Sequence, residues 1–365
     1  MAPNIIMEAS ISFQRDSVRH AVLMGPALLP YLTPKKLPNL LRCQHEAFQR
    51  IPRPRSFPVT AILDVAGLCN LSCPYCPTGA GRDRGRRERL LSIDQVERFL
   101  AEVGKYLIFA SLFNWGEPLL NPHLPEIVHR FKQHRIFTSV STNLSLKRQD
   151  LLAALNEARL DHLMVSVSGA SQGVYEKYHR RGKIDLVLDN LRFLQDWKRR
   201  RGVKKPLIEI KYLVFSYNRH EVRPAAQLAQ NLGVDLFRRY PGNGPPEVEI
   251  HEYGSDFHPG RPPRYCNQLW HTAVLNADAG ISPCCYTYFQ RDDLGDFSRT
   301  SLKQIRLNDL SVQARSLFNP NLLNELPPDL KHPCLQCHLV HRQPHLQHYL
   351  ANNPNAVEGH RTGGA

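Results

Sequence analysis

The sequence predicts an α/β fold built on a parallel sheet, and three observations lead there. Six strand-like runs alternate with helix-like segments between residues 59 and 240. The connections between successive runs are long enough for helical crossovers and too long for tight hairpins. Hydrophobic residues make up 42% of the 365-residue chain, enough to bury a substantial core.

Taken in order, residues 1–55 form an N-terminal extension. Within it Lys35–Ile51 is patterned as an amphipathic helix with Leu40, Leu41, Ala47 and Phe48 on one face, ended by the prolines at 52, 54 and 58. Residues 56–240 hold the alternating units. Their strands are VTAILDV (59–65), YLIFASLF (106–113), IFTSVST (136–142), HLMVSVS (162–168), LIEIKYLVF (207–215) and VDLFRRY (234–240). Ser92 and Gln95 make a capping box for a helix over Ile93–Val103. Helices over Pro122–His134, Arg148–Ala158, Ile184–Arg200 and Arg219–Asn231 follow. Residues 241–265, rich in Pro and Gly, read as a linker or active-site loop. Residues 266–345 form a second, cysteine-bearing unit. It opens with a β-hairpin whose strands are HTAVLNAD and ISPCC, with Ala279 and Gly280 at the turn. Residues 346–365 are a flexible tail.

Composition narrows the function. A formal charge of +14 and an isoelectric point near 9.5 favour anionic partners such as phosphorylated substrates, nucleic acid or a lipid surface. Nucleic acid stays open but is not favoured, because the basic residues are dispersed. The densest run, GRDRGRRER (81–89), reads as a solvated surface, with a phosphate or acidic-peptide contact as the alternative. No run of eighteen apolar residues predicts a membrane span, and the N-terminus lacks a secretory pattern. A cytoplasmic location is expected. The nine cysteines cluster at 69–76 and 266–337, apart from Cys43, and in a reducing compartment such clusters are metal ligands more often than disulfides.

The first cluster is CNLSCPYC (69–76), in the loop after the first predicted strand, where parallel β/α units gather their ligands. A structural zinc needs four ligands, and Cys69, Cys73 and Cys76 supply three, with His123 and His129 the next candidates far along the chain. Three thiolates on a 4Fe–4S cube would leave one iron open, the mark of a working metal. A non-catalytic, zinc-dependent nucleic-acid-binding protein is the rival reading.

With its CxxxCxxC spacing, the aromatic Tyr75 before the third cysteine, and Gly116-Glu117-Pro118 after the next strand, the chain resembles the radical S-adenosylmethionine (SAM) superfamily. The resemblance implies a partial (β/α)6 TIM-like barrel. The open iron would chelate SAM, one electron would cleave its sulfonium, and the resulting 5′-deoxyadenosyl radical would abstract a hydrogen atom from substrate. It assigns catalytic cluster ligation to Cys69, Cys73 and Cys76. It assigns SAM contacts to Tyr75, Gly116, Glu117, Pro118, Ser141, Asn143, Ser166 and Arg180. Ser168 stands where relatives often carry an acid. Lys211 lies on the fifth strand, and the sequence does not say on which face.

The second set is Cys266, Cys284, Cys285, Cys334 and Cys337. Spacing alone suits zinc or iron–sulfur, and leaves open which of Cys284 and Cys285 joins the others. The resemblance extends here to the SPASM or twitch extension, a small α+β iron–sulfur unit. It implies one auxiliary 4Fe–4S cluster on Cys266, Cys284, Cys334 and Cys337. The trailing His338, His341, His345 and His348 read as surface residues. The resemblance further implies an external electron donor such as flavodoxin or ferredoxin, and a peptide or carbohydrate-type substrate undergoing net oxidation or modification. RNA or a nucleotide-linked substrate is the alternative.

Overall fold

The structure is a computed structural model that describes residues 20, 22–242, 244–245, 247–248 and 264–352. Most of the expected loop 241–265 and residues 353–365 of the expected tail 346–365 lie outside the described residues, while the first part of that tail is ordered, with Leu346 buried and a helix over Gln347–Asn352. The strands are β1 (Thr60–Leu63), β2 (Phe109–Ser111), β3 (Phe137–Thr142), β4 (His162–Ser166), β5 (Leu207–Val214), β6 (Leu236–Pro241), β7 (Thr272–Leu275), β8 (Gly280–Ser282) and β9 (Gly295–Asp296). The chain divides into two compact units: residues 1–31, 64–83 and 109–259 in one, and residues 32–63, 84–108 and 260–365 in the other.

In the first unit β2, β3, β4, β5 and β6 pair in that order, all parallel. The expected crossover helices are present at Leu124–Gln133, Gln149–Glu157, Ile184–Arg201 and Val222–Asn231, and a shorter one spans Gln172–Tyr178. Residues alternate between the two faces of each strand. On β5, Tyr212 and Val214 pack against Ala225 and Val222 of the last crossover helix. Glu209 and Lys211 consequently lie on the face turned away from that helix.

Asp161, just before β4, is a buried anchor of this unit. It accepts hydrogen bonds from the Tyr31 hydroxyl (2.5 Å), Lys205 (2.6 Å), the Thr138 amide (2.9 Å) and Lys132. Burial raises its pKa, but Lys132, Lys205 and Tyr31 outweigh that and hold it below the usual carboxylate value. Tyr31 also meets Phe137 edge-on at 5.6 Å, so part of the N-terminal extension belongs to this unit.

In the second unit β1 pairs in parallel with β7, and β7, β8 and β9 continue antiparallel. The expected hairpin is β7–β8, and its turn is closed by Asn276 and Ala279, with Ala279 left-handed at φ 65°. Gly280 is required for a different reason. A Cβ there would sit 2.0 Å from Asp293 and 2.7 Å from Arg86. The capping box of Ser92 and Gln95 forms as expected.

Two expectations are corrected. The run 81–89 is not a solvated surface throughout, because Arg84 is buried and the Arg86 guanidinium is sunk between Asp278 (2.8 Å) and Asp293 (2.7 Å). The helix observed at Leu37–Phe48 buries Cys43, Glu46 and Ala47, whereas Leu41 is 61% exposed and Phe48 49%. The buried face is chosen by specific partners. Cys43 donates to the Trp270 carbonyl (3.4 Å), and the Glu46 carboxylate accepts the amides of Arg55 (2.9 Å) and Ser56 (3.0 Å).

Asp161→Asn removes a buried charge from two lysines, and loses about 3–5 kcal/mol in urea unfolding at pH 7. The depressed pKa gives the sign of the pH dependence. Asp161 contributes stability above its unfolded pKa near 4, lost as pH falls through the lower folded value. The variant's stability is therefore flatter than that of the wild type below pH 4.

Candidate functional site

The first cysteine loop is fastened to the loop after β2 by backbone contacts. The Glu117 amide donates to the Leu68 carbonyl (2.8 Å), the Trp115 amide to the Asp64 carboxylate (3.1 Å), and the Asn121 side chain to the Val65 carbonyl (2.8 Å). A Cβ on Gly116 would lie 1.8 Å from the Ala66 carbonyl oxygen, so glycine is what permits the approach. Pro118 opens a short 3-10 turn, Pro118–Leu120.

Glu117 is 2% exposed, and three donors converge on its carboxylate: Thr142 Oγ1 (2.6 Å), the Asn143 amide (2.8 Å) and the Leu119 amide (3.1 Å). Burial pushes its pKa up to about 7 against the pull of those donors. The side chain binds its own loop to the end of β3.

Asn143 carries the connection onward. Its Nδ2 donates to Asn70 (2.9 Å) and to Cys69 Sγ (3.7 Å), and Asn70 donates to the Ser145 carbonyl (3.0 Å). The Leu71 amide also points at Cys69 Sγ, at 3.4 Å. From the segment after β4, the Arg180 carbonyl accepts the Ser72 amide (3.1 Å), while the Arg180 side chain is exposed. Behind the cysteines the chain folds tightly back, and a Cβ on Gly79 would lie 2.5 Å from the Cys73 nitrogen. Thus the loops after β2, β3 and β4 each hold one stretch of the cysteine loop.

The donor set fits an iron–sulfur cluster. Cys69, Cys73 and Cys76 are free thiols in a half-buried to buried setting. Burial lifts Cys69 to about 11 and Cys73 to about 12, with the neighbouring thiols adding to the effect, so binding of a metal here would displace protons. Amide donors aimed at Cys69 Sγ are the partners a ligating sulfur takes. Among the described residues no three His, Cys, Asp or Glu side chains form the tight group that a single metal ion requires.

Beside this loop stands an aromatic wall. Tyr75 lies 6.1 Å from Tyr178 and 5.8 Å from Phe215, Tyr178 lies 5.1 Å from Phe215, and Phe215 stacks on Tyr217 at 5.2 Å. Gly244, from the expected active-site loop, packs on Tyr75, where a Cβ would stand 3.2 Å from the ring. Ser168 is buried and bonds His179 Nε2 (3.1 Å), and burial pushes that imidazole down to about 3, so it stays neutral. Ser141 and Ser166 are half-buried on the face of the sheet that also carries Lys211. Sequence reasoning missed Asn70, Tyr178, Phe215 and Tyr217. The signals were Asn70's place inside the cysteine motif and the positions of Tyr178 and Phe215 at element ends.

In the second unit Cys266, Cys334 and Cys337 are each opposed in ionisation first by burial and then by neighbouring thiols, with Cys284 acting on all three. Burial likewise pushes Cys285 up to about 11, with Cys284 and Cys266 as its thiol neighbours. Cys284 is the thiol neighbour that Cys266, Cys285, Cys334 and Cys337 share. Cys43 is fully buried elsewhere.

Comparison with known proteins gives one family match, the Radical SAM superfamily, over residues 64–228. PqqA peptide cyclase of Rhodopseudomonas palustris is 30% identical over 120 residues, 33% of this chain and 31% of that protein. GTP 3′,8-cyclase of Limosilactobacillus fermentum is 31% identical over 130 residues, 35% of this chain and 39% of that one. The chain spans less than half the length of these curated relatives. Streptococcus suis SuiB has been solved bound to S-adenosylmethionine (TM-score 0.57, 13% identity, covering 78% of this chain and 72% of SuiB) and bound to the precursor peptide SuiA. The likeness to SuiB is one of fold, the partial TIM barrel of radical SAM proteins, and the expected α/β class stands.

Gly116→Ala drives a methyl group into the Ala66 carbonyl and displaces the cysteine loop. The expected result is at least a tenfold loss of cluster iron at residues 69–76 after anaerobic reconstitution, with far-ultraviolet circular dichroism unchanged.

Proposed function

We propose, from the match of residues 64–228 to the Radical SAM superfamily, a peptide-modifying enzyme that cleaves SAM reductively at a 4Fe–4S cluster on Cys69, Cys73 and Cys76. The observation that carries the proposal is the fastening of the cysteine loop by Gly116-Glu117-Pro118 and Asn143. It fixes the loop that carries Cys69, Cys73 and Cys76, whose thiols lie near enough to oppose one another's ionisation.

Cys69, Cys73 and Cys76 would hold the cluster, which when bound would supply one-electron reduction of the SAM sulfonium. The protein's share is position and exclusion of water. Carbonyls of the 114–116 stretch and the Ser141 and Ser166 hydroxyls would bind SAM, and Arg180, whose side chain is exposed, would pair with its carboxylate. The wall of Tyr75, Tyr178 and Phe215 would give the adenine an apolar surface.

A second cluster on Cys266, Cys284, Cys334 and Cys337 completes the proposal. Four thiolates leave it no open iron, which suits electron transfer during a net oxidation. The external donor is a small acidic protein such as flavodoxin or ferredoxin, for which a chain of charge +14 is an electrostatic match. A peptide substrate is favoured by the PqqA peptide cyclase relatives and by SuiB. No described helix is long and apolar enough to cross a membrane.

A second reading, a nucleotide-type substrate, draws on the GTP 3′,8-cyclase relatives, whose identity is of the same order. The two readings share the SAM chemistry and differ in the group the enzyme must hold.

Anaerobically reconstituted protein is expected to hold about eight irons and to release 5′-deoxyadenosine from SAM after reduction. Replacing Cys69, Cys73 and Cys76 with Ala abolishes that release. Replacing Cys334 and Cys337 with Ala removes about four irons and leaves the release measurable. A colourless zinc protein would overturn the proposal.

A further inference from the structure

The face of the parallel sheet turned away from its helices carries a charge that the SAM site does not use. Register places Ser141, Met164, Glu209 and Leu236 in one row, and Ser166, Lys211 and Arg238 in the next row toward the C-terminal ends of the strands. Side-chain contacts show that these residues share a face. Ser139 Oγ meets His162 Nδ1 (2.8 Å), His162 Nε2 meets Glu209 (3.3 Å), and Glu209 meets Arg238 (3.5 Å) and the Tyr240 hydroxyl (3.2 Å).

The charges on this face do not balance. Glu209 is answered by Arg238, His162 and, at 3.8 Å, His20. Lys211 has no carboxylate within ion-pair distance among the described residues, and its ammonium lies 5.1 Å from the Tyr240 ring. Arg238 stands over the same ring at 4.9 Å. Burial pulls the lysine's pKa down, Glu209 draws it up, and Arg238 lowers it again. A half-buried ammonium beside a second cation is costly unless an anion completes it. Its row coincides with the last residue of β4, at the end of the sheet where the SAM loops gather. One unanswered positive charge matches a monoanion, and so a carboxylate better than a phosphate carrying nearly two charges.

We propose that Lys211, in the row with Ser166 and Arg238, receives a carboxylate of the peptide substrate and so selects an acidic residue or a C-terminus. This rests on the peptide-modifying reading above and names the group that reading requires.

The test uses reconstituted holoenzyme of the full chain and competitive acetylation by N-hydroxysuccinimide acetate, with Lys211 read by peptide mass spectrometry. The probes are N-acetyl-glutamate α-methylamide, its glutamine counterpart, inorganic phosphate and SAM, each added alone. The glutamate probe is expected to slow acetylation of Lys211 at least fivefold, and the other three less than twofold. Equal protection by phosphate would overturn the proposal in favour of a nucleotide-type ligand. Protection by SAM would assign the lysine to the cofactor instead. Equal protection by the glutamine probe, no protection by the glutamate probe, or a Lys211 that never labels, would each overturn it as well. Release of 5′-deoxyadenosine by the same preparation is recorded separately, so a failure of the radical SAM reading is distinguishable from a failure of this one.

Discussion

The contact between Gly116 and the Ala66 carbonyl, clamped by the amide of Glu117 on Leu68, is the constraint on which the site depends. A loop whose cysteines are separated by three and then two intervening residues has many conformations. Here the choice is made by neighbouring loops that lack cysteine. The loop after β2 fixes the residues before Cys69, Asn143 fixes Cys69 itself, and the Arg180 carbonyl fixes the residue before Cys73. Each of these contacts uses backbone or a short amide side chain, so little rotamer entropy is lost in forming them. Glu117 joins two of these loops, since its buried carboxylate gathers donors from residues 119, 142 and 143.

The second unit solves a similar problem with charge. Cys284 lies two residues past β8, and the hairpin before it is held by Arg86 between Asp278 and Asp293, with Ser282 and Asn276 completing the network. Buried ion pairs of this kind contribute little net stability, but removing one partner is severe. Their value here is a fixed position for β8. Gly280 makes room for the pair, which explains a glycine whose φ does not demand one.

Much of the parallel fold was legible in the sequence because its signals are local. Strand-like runs, crossover lengths and the Ser92 capping box depend on neighbours in the chain, and each appears where expected. The cysteine motifs were legible for the same reason. What depends on distant partners was not. The helix Leu37–Phe48 turns Cys43 and Ala47 inward because Trp270 waits there, more than two hundred residues on. The arginines of 81–89 looked solvated because Asp278 and Asp293, which hold Arg86, lie far along the chain. The face of Lys211 was undecidable from an alternating strand, and was settled by which side of β5 the helix Val222–Asn231 covers. The aromatic wall was missed because Tyr75, Tyr178, Phe215 and Tyr217 come from three separate segments.

A cluster on the loop 69–76, as proposed, leaves one iron open to SAM. Electron paramagnetic resonance of the reduced Cys334→Ala, Cys337→Ala double variant, with and without SAM, tests it most directly, because the auxiliary signal is then removed. The account predicts a reduced-cluster signal whose g-values shift when SAM is added. A signal unchanged by SAM, or no cluster signal at all from a variant that still folds, would contradict it.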